Sequence, residues 1–371
     1  VIDDLAADPL GLGFVNAAQF LPYALLGLLA GAFVDRWPRK TVLVLASIGR
    51  AAALAAIPLL WWLEALTLGV LIALLLLFGA CAVFGMAASQ SLLPDLVPRD
   101  RLLPANARLD QGEAAAQSAG PPIGGILVGL LGAPVTILLD AVSYVADAVL
   151  VATLRVRERR EPATRMRLGT QIAEGLRWTY RHPILGPLAL STHVWFVANA
   201  AGLTVLAVLV LRTLDLGPVF YGVLLAVFGV AALGGASLAA AAGRRWGSGR
   251  TIVGARQLYP VAWLFVCAAP AGAPGSMPLL LAASILHGAA AGLENANEMS
   301  LRQQVTPRAL LGRTSATIRS ANRTAAAVGA IAGGVLASVA GDRWALLVIV
   351  VVFVGAAAIA WFSPLSGASD A

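Results

Sequence analysis

Long apolar runs separated by short polar breaks govern this chain. A helix needs roughly 20 residues to cross about 30 Å of hydrocarbon. By that measure the runs predict spanning helices over 11–34, 41–62, 67–91, 105–131, 134–154, 184–211, 218–243, 251–271, 278–301, 314–339 and 343–363. The pattern is that of an all-α polytopic membrane protein with about eleven transmembrane helices. One stretch, 155–183, is polar. Within it Glu161-Pro162-Ala163-Thr164 reads as a flexible connector. From Leu168 to Arg181, Leu168, Ile172 and Leu176 recur every four residues beside Arg177 and Arg181. That spacing predicts a short helix, either lying on the inner membrane face or solvated as part of the linker, closed by His182-Pro183.

The runs are also written twice. Pro98-Arg99, Gly120 and Gly124-Gly125 recur as Pro307-Arg308, Gly329 and Gly333-Gly334, each 209 positions later. The same offset carries Leu5 onto Leu214, Pro9 onto Pro218, Gly13 onto Gly222 and Arg36-Trp37 onto Arg245-Trp246. Two same-direction copies of a multi-helix unit predict a two-lobed transporter built from parallel repeats. The expected division is a first lobe over 1–154, a cytoplasmic linker over 155–183 and a second lobe over 184–371. The run 184–211 finds no earlier copy, because its counterpart falls ahead of residue 1. With the opening on Val1 and Asp3-Asp4-Leu5, this predicts a first lobe lacking its first helix, in a complete protein of six plus six.

Composition narrows the reading. With 59% hydrophobic and 12% charged residues the chain has too little polar surface to cover a soluble globule. The net charge of +7 would raise nucleic-acid binding in a soluble protein, but here the cations fall in blocks between apolar runs, as topology signals do. Arg36, Arg39 and Lys40, then Arg99, Arg101 and Arg108, then eight arginines over 155–181, then Arg244, Arg245 and Arg250, then Arg302, Arg308 and Arg313, mark one side as cytoplasmic. The alternate loops hold only Arg212 and Arg343. Cys81 and Cys267 lie in apolar runs without metal spacing and read as small buried side chains. Neither metal nor cofactor is expected, nor a nucleic-acid partner, and no Gly-x-x-x-x-Gly-Lys-Ser/Thr loop is present to bind ATP.

Two motifs stand out. Gly27-Leu28-Leu29-Ala30-Gly31-Ala32-Phe33-Val34-Asp35-Arg36-Trp37-Pro38-Arg39-Lys40 sets small residues on one helix face ahead of a charged loop. Physically this is either plain glycine packing with a positive-inside loop or a set of charges that switch partners. It resembles the signature loop of the major facilitator superfamily, with Pro38 where that family usually has glycine. The second motif, Gly120-Pro121-Pro122-Ile123-Gly124-Gly125, removes backbone donors and admits a close neighbour. It resembles an element on the fifth helix of facilitator-type exporters. Leu93-Pro94-Asp95-Leu96-Val97-Pro98-Arg99, Ala105-Asn106-Ala107, Leu139-Asp140-Ala141-Val142-Ser143 and Glu174-Gly175-Leu176-Arg177-Trp178 make nearly the whole chain similar to the enterobactin exporter and macrolide efflux branch. The resemblance implies the major facilitator fold of two six-helix lobes. It also implies a cytoplasmic gate latch made by Gly31, Asp35, Arg36, Arg39 and Lys40, with Asp35 facing the start of the helix near 314. The second copy of the latch, Arg244-Arg245-Trp246-Gly247-Ser248-Gly249, is degenerate, and its fifth-helix element has Ala330 and Ile331 for the prolines.

An isolated charge at mid-bilayer costs about 2.5–3.5 kcal/mol on insertion scales, so each one in a run carries information. Asp140 and Asp147 share a helical face, as proton-coupling carboxylates or as structural hydrogen-bond partners. His287, Glu294 and Glu298 form one stripe, and Glu298 is expected to pair with Arg319 or Arg323 on the next helix, as a gate or as a structural bridge. Arg50 is expected to pair within the first lobe. His193 and Asn199, with Trp195 and Phe196, are candidate substrate contacts on the seventh helix, which lines the cavity in the family; packing is the alternative. Arg319 corresponds by the repeat to Asp110, an exchange of charge between copies.

The expectation is a monomeric secondary transporter of the inner (plasma) membrane, acting by alternating access. Its partners would be the lipid bilayer, protons and a small amphipathic molecule such as a drug, macrolide or siderophore, exported by antiport. An importer or uniporter on the same fold, and an intramembrane enzyme using His287, Glu294 and Glu298, are the rival readings.

Overall fold

Backbone N–H and C=O groups in hydrocarbon must be satisfied within their own segment, and helices do this for the apolar runs among the described residues. A computed structural model describes residues 9–34, 37–98, 105, 108–109, 112, 116, 120, 123–124, 127–156, 158, 168–270, 273–307 and 310–367. Among them the secondary structure is helical throughout, without strands. The first half contributes α1 (Pro9–Ala18), α2 (Leu21–Val34), α3 (Arg39–Trp62), α4 (Leu68–Leu96) and α5 (Ala133–Thr153). A short α6 (Leu168–Arg181) follows. The second half contributes α7 (Leu185–Val208), α8 (Gly217–Trp246), α9 (Ser248–Ala268), α10 (Ala273–Val305), α11 (Leu311–Ala340) and α12 (Asp342–Trp361). Ten segments among the described residues are long and apolar enough to cross a membrane. Most of the run expected over 105–131 lies outside the described residues.

Helix limits repeat with the sequence offset. Shifted by 209 positions, α3, α4 and α5 fall on α9, α10 and α12, and α11 is the copy of the 105–131 run. Gly132 and Gly341 precede α5 and α12 in the same conformation, φ 79° and 82°, which a side chain rarely adopts. The copies diverge one loop earlier: Gly247 enters α9 at φ 83°, whereas its counterpart Pro38 enters α3 at φ −60°.

One helix departs from expectation. The run 11–34 is broken at Gln19-Phe20, where Phe20 N–H turns back to Ala17 O (2.9 Å) and Tyr23 N–H to Phe20 O (3.0 Å). Pro22 causes the break: it has no N–H to continue the ladder, and its ring opposes a carbonyl one turn earlier. Apolarity alone does not reveal this.

In the second half α10 lies flat on α8, with backbone meeting backbone at Gly235, Gly288 and Gly292. Beside them a box of Trp195, Tyr259, Trp263 and Phe353 forms the core. Helix α11 touches both halves. Gly329 and Gly333 sit against Val197 and Ala201 of α7, while Gly334 touches Pro9 O and Gly13 of α1. Thus the second-copy glycines are points of closest helix approach. The contact with α1, with Asn16 donating to Thr204 Oγ1 (3.0 Å) and Ser320 Oγ donating to Tyr23 O (3.2 Å), holds the two halves together.

The short polar helix forms as α6, with the limits its periodicity predicts. Its Gly175 face docks on Arg313 and Thr317 of α11, Glu174 pairs with Arg313, and Leu176 on the other face stays 42% exposed. Beyond it, burial holds the His182 imidazole below its ordinary pKa. Its Nδ1 accepts from the Ile184 and Leu185 N–H groups (both 3.2 Å), capping the start of α7.

Candidate functional site

Two polar centres lie at matching repeat positions, one in each half, within the membrane-length helices. In the second half, Arg256 of α9 is 1% exposed and pairs with Glu294 and with Glu298 (3.2 Å) of α10. Glu298 also meets Arg302 one turn on. Helix α7 completes the centre: Arg256 donates to Ser191 O (3.0 Å) and Thr192 Oγ1 (2.8 Å), and Thr192 Oγ1 donates to Glu298 (3.3 Å). Two arginines and two glutamates make the network formally neutral, which is how buried charge persists in hydrocarbon. Glu294 Oε2 and Arg256 Nε are nevertheless buried without a hydrogen-bond partner among the described residues.

In the first half, Ser47 and Arg50 of α3 face Asp147 of α5. Ser47 Oγ donates to Asp147 Oδ2, Arg50 is 3.8 Å from it, and Arg50 lies 4.4 Å from the Tyr144 ring centre. Subtracting the offset maps Arg256 onto Ser47, Glu294 onto Gly85, Glu298 onto Ser89, Tyr259 onto Arg50 and Phe353 onto Tyr144. The Arg50–Tyr144 contact therefore occupies the place of the Tyr259–Phe353 stack (5.8 Å, 18°). Gly85 leaves room for the Arg50 guanidinium where the other copy has Glu294.

A groove of about 610 Å³ opens beside this first centre, lined by Tyr23, Leu43, Arg50, Met86, Leu92, Tyr144, Asp147 and Val151 among others. Its repeat counterparts identify its shape. Ile252, Leu301 and Ala360, the copies of Leu43, Leu92 and Val151, pack around Leu188 of α7. Ala356, the copy of Asp147, accepts from Ser191 of α7 (2.7 Å). The groove has the form of a helix seat, and α7 fills the equivalent space in the second half.

The latch residues divide. Asp35 and Arg36 lie outside the described residues, as do Pro121, Pro122, Gly125 and Asp110; of Gly31 only the helical backbone is described, and Gly120 and Gly124 are helical. Arg39 and Lys40 are bound within the first half. Glu158 receives the Arg39 and Lys40 N–H groups (both 2.9 Å), putting a carboxylate on the positive end of α3 where Pro38 offers no cap. Arg39 pairs with Asp95 of α4 (3.0 Å). Lys40 Nζ donates to Ala152 O and Leu154 O at the end of α5 (2.7 and 2.8 Å). Glu158→Ala is expected to cost about 0.5–2 kcal/mol, read as a lower melting temperature of the purified protein; an unchanged melting temperature would show that the cap carries no load.

Other expected residues take different partners. Glu298 does not pair with Arg319 or Arg323: Arg256 and Arg302 are nearer on its face, and Arg319 turns to Met86 Sδ (2.6 Å). His287, placed in one stripe with the glutamates, sits apart from them in the aromatic box, 4.8 Å from Tyr259, and accepts from Trp263 Nε1 (3.1 Å). His193 bridges Tyr180 of α6 (2.8 Å) and Asn322 of α11 (2.6 Å). Asn199 is half-buried on α7. Asp140 is exposed and engages Ser143 of its own turn (3.3 Å). Sequence pattern does not mark Arg256 or Glu158 as site residues and gives Asp95 only as part of a motif; Arg256, five residues inside an apolar run, carries the same intramembrane-charge signal as the glutamates.

Comparison with known proteins matches residues 1–371 to the family model described as transmembrane secretion effector. An MFS-type transporter of Bacillus subtilis, YfiS, is 27% identical over 93% of this chain and 82% of its own length. The multidrug efflux pump Tap of Mycobacterium tuberculosis is 30% identical over 47% of this chain and 44% of its own. A crystal structure of the nucleoside transporter NupG, in single-substitution form, superposes with a TM-score of 0.75 at 12% identity, covering 97% of this chain and 92% of that one. The last likeness shows the fold alone.

Proposed function

Because the chain belongs to the major facilitator superfamily, in its family of transmembrane secretion effectors, it is a multi-pass secondary transporter, and we propose that it exports a small amphipathic molecule in exchange for protons. The export direction draws support from the family's description and from the printed name of Tap. Residues 1–154 and 184–371 would act as two lobes of a monomer in the inner membrane, with 155–183 as the cytoplasmic linker.

The observation that carries proton coupling is the Arg256–Glu294–Glu298–Arg302 network. Its four charges sum to zero, it spans α9 and α10, and α7 closes it through Thr192. A proton on Glu294 releases Arg256 from one carboxylate, leaves an excess positive charge and changes what Arg256 offers to α7. Such a change biases two arrangements of a helix against its bundle, which is what coupling requires. Asp147, held by Ser47 and near Arg50, is the carboxylate of the first-half centre, although it is not the repeat counterpart of Glu294.

Proteoliposomes test this reading. With Glu294→Gln, exchange of labelled for unlabelled substrate at equal pH is expected to continue, while uphill movement driven by a pH gradient is lost. Gradient-driven accumulation at the unaltered rate would remove Glu294 from the coupling step. Failure of the unaltered protein to move any amphipathic probe would remove the transport reading from this chain.

A further inference from the structure

We propose that Arg319 and Arg323 of α11 form the recognition site for the anionic group of a ring-bearing amphipathic substrate, whose apolar part lies against Phe20, Tyr23 and Met86. This names a substrate class for the transport reading above and rests on it. Counted from Arg313 at 1.5 Å per residue, Arg323 lies about 15 Å into the span, near the middle of the hydrocarbon. Two guanidiniums one turn apart at that depth need an anion. Among the described residues no carboxylate supplies it: Glu294 and Glu298 are held by Arg256 and Arg302, Glu174 by Arg313, and Asp147 by Ser47.

What the two arginines touch instead is soft and aromatic. Arg319 donates to the Met86 thioether, a weak acceptor. Arg323 lies 5.3 Å from the Phe20 ring centre and 5.5 Å from that of Tyr23. Contact with ring faces satisfies charge without using up N–H donors, so the fork that binds carboxylates in pairs is available to a ligand. Both arginines are half-buried. They also straddle the seam: Arg319 reaches α4, and Arg323 reaches the α1–α2 break that Pro22 creates. An anion held there touches both halves and senses their relative position. Asp110, the repeat counterpart of Arg319, lies outside the described residues, so it enters the test directly.

The test uses the full chain in lipid nanodiscs and three matched probes: 2-naphthoate, 2-naphthamide and 2-naphthylmethylammonium. The unaltered protein is expected to bind naphthoate about tenfold or more tightly than the amide, as a charge-assisted paired hydrogen bond implies. Arg319→Gln and Arg323→Gln should each lower naphthoate binding by far more than amide binding, removing most of that preference. Arg319→Lys with Arg323→Lys, which keeps the charge and therefore the fold, should retain an intermediate preference. Equal binding of naphthoate and amide overturns the site, as does an undiminished preference in the Gln variants. So does recovery of a misfolded Arg319→Gln protein by Asp110→Asn, which would make Arg319 half of a structural pair. Flux separates the two readings: naphthoate bound through the arginines but never moved by a gradient refutes transport and spares the site, whereas movement of the other probes without naphthoate binding does the reverse.

Discussion

Arg256→Met lowers the stability of the protein by about 3–5 kcal/mol, the cost of stranding buried charge when one partner of an ion pair is removed. The cause is arithmetic as much as contact. Without Arg256 the centre holds two carboxylates and one guanidinium, and among the described residues Arg302 pairs with Glu298 and not with Glu294. Adding Glu294→Gln restores neutrality and removes the stranded carboxylate. The double variant is therefore expected to recover most of the lost stability while remaining unable to couple substrate movement to a pH gradient. Thermal unfolding in detergent reads the first effect and proteoliposome flux the second. A double variant no more stable than Arg256→Met would show that packing against Ser191 and Thr192, rather than charge balance, holds the centre together.

Gly334→Leu acts on the seam between halves. A Cβ at Gly334 would lie 2.6 Å from Pro9 O and 3.1 Å from Gly13 Cα, and both neighbours are backbone, so neither can swing aside. Overpacking of this kind costs about 1–3 kcal/mol. The strain is paid only in arrangements that close α1 on α11, and a barrier rises tenfold in time for each 1.36 kcal/mol. Exchange should therefore slow by about fivefold to a hundredfold while the protein still reaches the membrane. Gly355→Ala, at a position with open space around it, is the matched control and should be silent. Equal rates for both variants would mean that the seam stays shut throughout the cycle.

Much of this architecture is legible in the chain because bilayer thickness is a strong constraint. It dictates run length, and the 209-residue offset dictates where runs recur, so the start of α12 at Asp342 could be read from that of α5 at Ala133. What escapes is rotational. Apolar runs look alike on every face, so Glu298 could be assigned to the next helix by depth while its actual partners, Arg256 and Arg302, depend on which way α9 and α10 turn. Arg256 was hidden for a related reason: it follows Arg244, Arg245 and Arg250 closely enough to pass for the end of a cytoplasmic block. His287 shares the glutamates' stripe by number, yet it lies two turns further into the membrane, where the neighbours are aromatic. Pro22 was visible throughout, but its effect depends on a ladder that hydropathy does not count.

The Glu158 carboxylate on the start of α3 bears on something larger than one helix cap. The connecting chain is fastened to the first half at Glu158 and to the second where α6 docks on α11. Only the stretch from 158 to 168 bridges the two attachments, and at 3.3–3.6 Å per residue it reaches about 35 Å at full extension. The connector is thus a short leash, whose stop is set by one acid and one glycine. Under the transport reading proposed above, a tether of that reach would limit how far the two halves separate at this end, and with it the size of cargo admitted there.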